Sequence, residues 1–152
     1  MSIVTKYLEA EGVGYEVLRH ERSFTGVDEA RALGIEADEV LKTLVIDTER
    51  GHVLAVIPGS GRLDMRLVRE AVGDQHATLA TEREIERDFH GFELGSLPPL
   101  GGLLDAETFV DPSIRDHAVV VFAAGSQMES VRTQTRELFA KEHVRFVDIA
   151  ED

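Results

Sequence analysis

Apolar residues in this chain come in short runs, and the punctuation between the runs dictates what it can fold into. The longest run, Ala118 to Ala124, falls far short of the roughly 20 residues needed to cross a bilayer. Between the runs stand glycines, capping residues and two charged turns, so the sequence predicts short helices alternating irregularly with short strands. Ser2 caps a helix over residues 2–11, with Ile3, Tyr7 and Leu8 on one side. Gly12 and Gly14 break it before an alternating strand, Tyr15 to Arg19. Thr25 and Asp28 have capping-box spacing and open a helix through Ala30 and Leu33 to a stop at Gly34. Leu41–Asp47 and His52–Ile57 read as a hairpin around Thr48–Gly51.

Farther on, Asp64 caps a helix over Met65–Val72 that stops at Gly73, and Thr81 to Glu84 opens another that runs to Phe89. Gly91 to Gly102 is too rich in glycine and proline for regular structure and reads as a loop. Phe109–Val110 predicts a strand before the Asp111-Pro-Ser turn. Val119–Phe122 predicts a central strand buried on both faces and broken by Gly125-Ser126. A strand over 128–132, a helix from Thr133 to Glu142 and a last strand from Val144 to Ile149 complete the reading. The expected fold class is α+β: a single domain over residues 1–152, with one mixed sheet of roughly seven strands, bent or partly closed, and helices packed against it.

Composition narrows the chemistry. With no cysteine, disulfides, thiolate metal sites and cysteine nucleophiles are excluded, and a reducing, cytoplasmic setting is expected. The start of the chain lacks a signal peptide's apolar core, so no membrane partner is expected. Acidic residues outnumber basic ones by 29 to 16, a formal charge of −13, which repels polyanions except at a local basic patch. The six histidines show no metal-ligand spacing, so no metal and no cofactor are expected. His20 stands out because it ends a strand just before a helix cap. Lys42 stands out more, as a lysine inside the apolar stretch Val40–Ile46, where it must face a cleft or snorkel. Facing a cleft, it would be a fixed cation for an anion or for charge developing on a carbonyl oxygen. The Gly95–Pro99 loop, followed by Gly101-Gly102, can bring backbone N–H groups close to a small acyl or amino group. Gly125-Ser126 is a second candidate edge.

In order along the chain, His20, Thr25, Glu29-Ala30, Leu33-Gly34, Lys42–Val45, Gly61–Asp64, Leu67, Gly95–Pro99, Leu103, Asp111 and Ala124–Ser126 resemble the family of the YbaK proteins and the editing domain inserted in bacterial prolyl-tRNA synthetases. The resemblance implies a trans-acting aminoacyl-tRNA deacylase. It would hydrolyse the ester of a mischarged tRNA, a substrate presented as an acceptor end carrying an amino acid, and could associate with an aminoacyl-tRNA synthetase. It places Lys42, Gly95 and Pro99 at the catalytic centre. The substrate would lie among His20, Thr25, Ser96, Leu97, Pro98, Gly101, Gly125 and Ser126. A ribose hydroxyl of the tRNA would help activate water, so neither Ser96 nor Ser126 need be a nucleophile. Arg62, Arg66 and Arg69 form the candidate tRNA-binding patch. Leu97-Pro98 stands where many relatives carry a small polar residue, so the amino acid cleared is left open. The oligomeric state is not fixed by the sequence. A non-catalytic aminoacyl- or nucleotide-binding module and a hydrolase of small esters remain alternatives.

Overall fold

A computed structural model describes residues 1–152. The elements are α1 (Ile3–Ala10), β1 (Glu16–Arg19), α2 (Gly26–Leu33), β2 (Val40–Thr48), β3 (Gly51–Pro58), α3 (Met65–Val72), β4 (Thr78–Leu79) and α4 (Glu82–Asp88). They continue with α5 (Gly101–Leu104), β5 (Glu107–Val110), β6 (Val119–Ser126), β7 (Glu129–Gln134), α6 (Thr135–Lys141) and β8 (Val144–Phe146). Short 3-10 turns cover Ala37–Glu39 and Pro112–Asp116. One curved, mixed sheet runs β1-β7-β6-β2-β3-β5-β8, and β4 pairs with β2 off that path. The β6–β2, β3–β5 and β5–β8 pairs are parallel, and the others antiparallel. No helix is long and apolar enough to cross a membrane.

Local chemistry accounts for most element ends. The hydroxyls of Ser2, Thr25 and Thr81 and the carboxylate of Asp64 accept from backbone N–H groups at the starts of α1, α2, α4 and α3, satisfying donors that a helix leaves unpaired. Only Thr81–Glu84 closes the reciprocal box. Gly34 and Gly73 end α2 and α3 in the left-handed conformation, as glycine stops require.

The hairpin β2–β3 is the organising unit, paired without interruption from Leu41↔Pro58 to Thr48↔Gly51. Side chains alternate across it. Leu41 and Val56 join Val4 and Leu8 of α1 and Leu138 of α6 in the largest core cluster, while Val45 and Leu54 meet Phe89, Leu97 and Ile85 on the same face. Ile46, Ala55 and Ile57 face the other way, onto Val68 and Val72 of α3, and Val40 meets Ala30 of α2. Fully buried side chains such as Phe122, Leu54 and Phe109 each contribute about 1.5–3 kcal/mol.

Several expectations need correction. The buried stripe of α1 is Val4 and Leu8, and Ile3 is exposed. β6 does not break at Gly125 but runs on to end at Ser126. It passes Gly125 with a register shift between Ala123 and Ser126, and Gly125 takes a positive φ of 86°, the geometry a bulge demands. The glycine- and proline-rich loop gives way to α5 at Gly101, where a side chain would overlap Thr108. The polar segment up to Gln134 stays in β7 because Val119 and Val120 of β6 pair with Gln134 and Thr133. α6 therefore starts at Thr135, and β8 stops at Phe146. The two-residue β4 was not anticipated, which makes eight strands.

Candidate functional site

The site begins with a gap in hydrogen bonding. Along one edge of β2, β6 pairs only with Val40 and Leu41, and β4 only with Ile46 and Asp47. The edge from Lys42 to Leu44 has no strand beside it, because the Ala80 amide reaches back only as far as the Val45 carbonyl. Backbone donors and acceptors in this window are open to a ligand, as at any unpaired strand edge.

On one face of the window lies a cavity of about 440 Å³, lined by Phe24, Thr43, Val45, Ile85, Gly95 and Leu97 among others. Its walls are mainly apolar. The Thr43 hydroxyl oxygen is buried with no hydrogen-bond partner, so it is the one lining group on β2 with an unmet polar need. Thr43 follows Lys42 in β2. The alternation that separates the two side chains is what brings Thr43 to the cavity.

Lys42 lies on the opposite side of β2, between the parts of the sheet covered by α2 and α3. It is half-buried and makes no hydrogen bond or ion pair. Burial pushes its ammonium below the ordinary lysine pKa, and the nearby Arg62 guanidinium pushes it further. Arg62, exposed on the segment after β3, also forms no ion pair, although it shares a hollow with Asp38, Asp116, Asp148 and Glu151. The other two arginines of the expected patch are engaged. Arg66 sits 3.7 Å from Asp64 and 3.4 Å from Glu70, and Arg69 donates through Nε to the Ala77 carbonyl at 3.0 Å. The unpaired positive charge is thus Lys42 with Arg62.

The two glycine edges noted in the sequence are joined. Gly125 N–H donates to the Ser96 carbonyl at 3.1 Å, and Glu93 N–H donates to the Gly125 carbonyl at 2.9 Å. Gly95 has a φ of +76° and packs so close to the Phe24 carbonyl that a Cβ would overlap it. Sequence reasoning missed the clamp that fixes this corner. Gln127 N–H donates to Glu93 Oε1 at 2.9 Å, and its amide Nε2 donates to the Leu94 carbonyl at 2.8 Å. Arg22 Nη1 donates to Gln127 Oε1 at 2.5 Å and to Glu93 Oε2 at 3.1 Å. The Gln127 amide and then Arg22 hold the Glu93 carboxyl below its ordinary pKa. The only sequence signal for the clamp was its position beside Gly95 and Gly125.

The remaining candidates divide by burial. Ser96 is buried and donates to the Glu93 carbonyl at 2.5 Å, so its hydroxyl shapes the turn. Ser126 Oγ accepts from Met128 N–H at 3.1 Å. Leu97 lines the cavity, Pro98 and Pro99 are buried behind it, and Gly101 belongs to α5. Thr25 spends its hydroxyl on the α2 cap. His20 Nδ1 lies 2.7 Å from the Glu21 carbonyl, and Nε2 lies 2.8 Å from Ser130 Oγ. Ser130 in turn donates to the buried carboxyl of Glu29.

The sequence pattern of the aminoacyl-tRNA editing domain matches residues 20–140. A protein of Enterococcus faecalis named as a candidate Cys-tRNA(Pro)/Cys-tRNA(Cys) deacylase is 24% identical over 136 residues, covering 89% of this chain and 82% of that protein. A proline–tRNA ligase of Thermosipho melanesiensis is 32% identical over 85 residues, covering 55% of this chain; the match spans only 15% of the ligase. Among solved structures, one described as a candidate trans-editing enzyme for prolyl-tRNA synthetase superposes with a TM-score of 0.86 at 28% identity, covering 99% of this chain and 96% of the other. A hypothetical protein superposes with a TM-score of 0.89 at 25% identity, covering 99% and 100%.

Proposed function

Because this chain belongs to the aminoacyl-tRNA editing domain family, we propose that it hydrolyses the ester joining a wrong amino acid to tRNA, acting in trans. The observation that carries the reading is the pair of unpaired cations, Lys42 and Arg62, at the rim of a window in the sheet of a chain with net charge −13. Two like charges left side by side cost free energy unless an anion joins them. The 3′ end of a tRNA brings phosphate to that place.

The ester lies across the window. Its acyl side chain enters the cavity beside Thr43, Val45 and Leu97, and its terminal phosphate turns toward Lys42 and Arg62. Phe24, 59% exposed at the cavity mouth, offers a ring for the terminal adenine. Water attacks the ester carbonyl, the carbon–oxygen bond to the ribose breaks, and the ribose oxygen takes a proton. Holding the ester and stabilising the oxyanion supply the rate enhancement, since an aminoacyl ester is already reactive. Lys42 provides the fixed charge, and the open backbone edge with the Gly95 corner orients the carbonyl and amino groups. Kinship with the editing segment of proline–tRNA ligases supports association with a synthetase.

Incubation with a panel of mischarged tRNAs tests the proposal. Release of at least one amino acid well above the spontaneous rate is expected. No release by well-folded protein overturns it.

A further inference from the structure

The cavity beside β2 has two unlike walls. One is built on regular elements, with Thr43 and Val45 of β2 and Ile85 of α4. The other is irregular, with Phe24 after β1, Leu94 and Gly95 before α5, and Gln127 at the β6–β7 turn. Three loops have no continuous ladder of backbone bonds to set their spacing, so side chains must complete it.

Gln127 is where the loops meet. It is buried, and its four polar groups are all engaged. Its N–H donates to Glu93 Oε1 at 2.9 Å, and its carbonyl accepts from Ser23 N–H at 2.8 Å. The side-chain amide donates through Nε2 to the Leu94 carbonyl at 2.8 Å and accepts at Oε1 from Arg22 Nη1 at 2.5 Å. One residue thus ties the segment before α2 and the segment before α5 to its own turn. We propose that Gln127 is a positioning residue that fixes the wall at Leu94 and Gly95 and so determines which acyl groups enter the cavity. The identity of the occupant rests on the deacylase reading, and the wall rests on the geometry alone.

Stability is a poor account of this arrangement. Gln127 belongs to none of the apolar core clusters. The Arg22 and Glu93 side chains are 50% and 44% exposed, and ion pairs so open to water contribute roughly 0–1 kcal/mol. A buried amide whose bonds are met instead specifies one arrangement of its neighbours. Selectivity follows from that rigidity. An apolar pocket distinguishes side chains that differ by one methylene by about 10–200-fold, and only if its walls do not give way. Leu97 is fixed independently, by packing on Val45, Leu54 and Phe89. Leu94 depends on the bond from Gln127 to its carbonyl. With that bond gone, Leu94 can swing outward and the cavity accepts longer acyl groups.

Gln127→Met keeps the length and bulk of the side chain and removes its two hydrogen bonds. Single-turnover deacylation of tRNAs carrying alanine, α-aminobutyrate, valine or leucine reads the selectivity. Calorimetry with the matching amide-linked aminoacyl-adenosine analogues reads the same size series without turnover. The ratio between the best acyl group and the next larger one should narrow about tenfold or more in Gln127→Met. It should narrow less in Arg22→Met, which leaves the Leu94 bond. Arg132→Met breaks an exposed pair with Glu16 and should leave the ratio unchanged. A merely structural role lowers the active fraction and scales every rate alike, so the ratio stays put. Unchanged ratios in Gln127→Met and Arg22→Met overturn the inference, as does equal narrowing in Arg132→Met. A wild type without size discrimination in either assay also overturns it. Should Gln127→Met fail to fold, Arg22→Met alone decides. If wild type releases no amino acid but the analogue affinities narrow as expected, the deacylase reading falls and the wall assignment stands.

Discussion

The two ends of the β2–β3 hairpin carry opposite kinds of charge, and only the turn end pairs internally. At the open end, Lys42 and Arg62 stand together and neither forms an ion pair. At the turn end, Asp47 and Asp88 flank His52 at 2.5 and 2.6 Å, and against burial both raise its pKa. Other surface charges form simple pairs: Arg66 lies between Asp64 and Glu70, and Arg132 meets Glu16 at 2.8 Å. Surface pairs of that kind contribute roughly 0–1 kcal/mol each and ask nothing of a ligand. An imbalance held in place by a rigid hairpin is different. At the open end, the phosphate of the proposed substrate would complete it.

The most direct way to break the comparison is to remove the open-end cation. Lys42→Ala should lower single-turnover deacylation of the best substrate by roughly 10²–10³-fold, with circular dichroism unchanged, and Lys42→Arg should rescue it only in part. An unchanged rate in folded Lys42→Ala would remove the catalytic assignment. The pH profile sharpens the same point. Because burial lowers the Lys42 pKa, the charge-dependent rate should be lost on the alkaline side at a pH below that of a free lysine. Stability runs the other way. Between the folded and unfolded pKa values the unfolded chain binds the extra proton, so stability rises with pH, and Lys42→Met should flatten that rise while abolishing turnover.

Next in size is the corner that faces the window. Gly95→Ala forces a side chain into a positive φ against the Phe24 carbonyl, a strain of about 1–3 kcal/mol. We expect Tm to fall by about 2–4 °C for each kcal/mol, and discrimination among acyl groups to degrade. Full wild-type Tm with unaltered selectivity would show that the corner is only a connection.

These sites were unequally legible in the sequence. Lys42 could be read because a lysine in an apolar strand is a local contradiction. Helix starts at Ser2, Thr25, Asp64 and Thr81 were legible because capping is local as well. The window was not, since it exists only because β6 and β4, distant in sequence, pair with different parts of β2. β4 itself has two exposed residues and no alternation to detect. Helix α5 hid behind Gly101-Gly102, whose small size serves packing against Thr108 and Tyr7. The Glu93–Gln127–Arg22 clamp joins three loops. Asp47 opposite His52 was within reach, because the predicted hairpin fixes that register, but its meaning required α4.

A smaller effect tests which arginines belong to the open end. Arg62→Ala should weaken tRNA binding and reduce the slope of log affinity against log salt by about 0.7, the share of one single-strand phosphate contact. Arg66→Ala should change neither, because Asp64 and Glu70 already hold that charge. Equal effects at both positions would restore the broader patch suggested by the sequence.

The smallest effect concerns a buried acid, inside the fold and away from both hairpin ends. Glu29 of α2 is buried, receives the Ser130 hydroxyl and connects through it to His20. Burial is the dominant influence and pushes its carboxyl up, while the Ser130 bond and the nearby His20 pull it back. An acid whose folded pKa lies above its unfolded value contributes fully to stability below the unfolded value, and loses that contribution as pH rises through the folded one. Glu29→Gln keeps a polar group for Ser130 but cannot ionise. The variant should therefore match wild type near pH 4 and exceed it near pH 8, by at most about 2–4 °C in Tm, the shift that roughly 1 kcal/mol produces in a chain of this size. Thermal unfolding across that range decides the matter. A difference that stays constant with pH would mean that Glu29 does not titrate in the folded state. Its charge would then be held by His20 through Ser130, and the variant should instead alter the pH dependence of turnover.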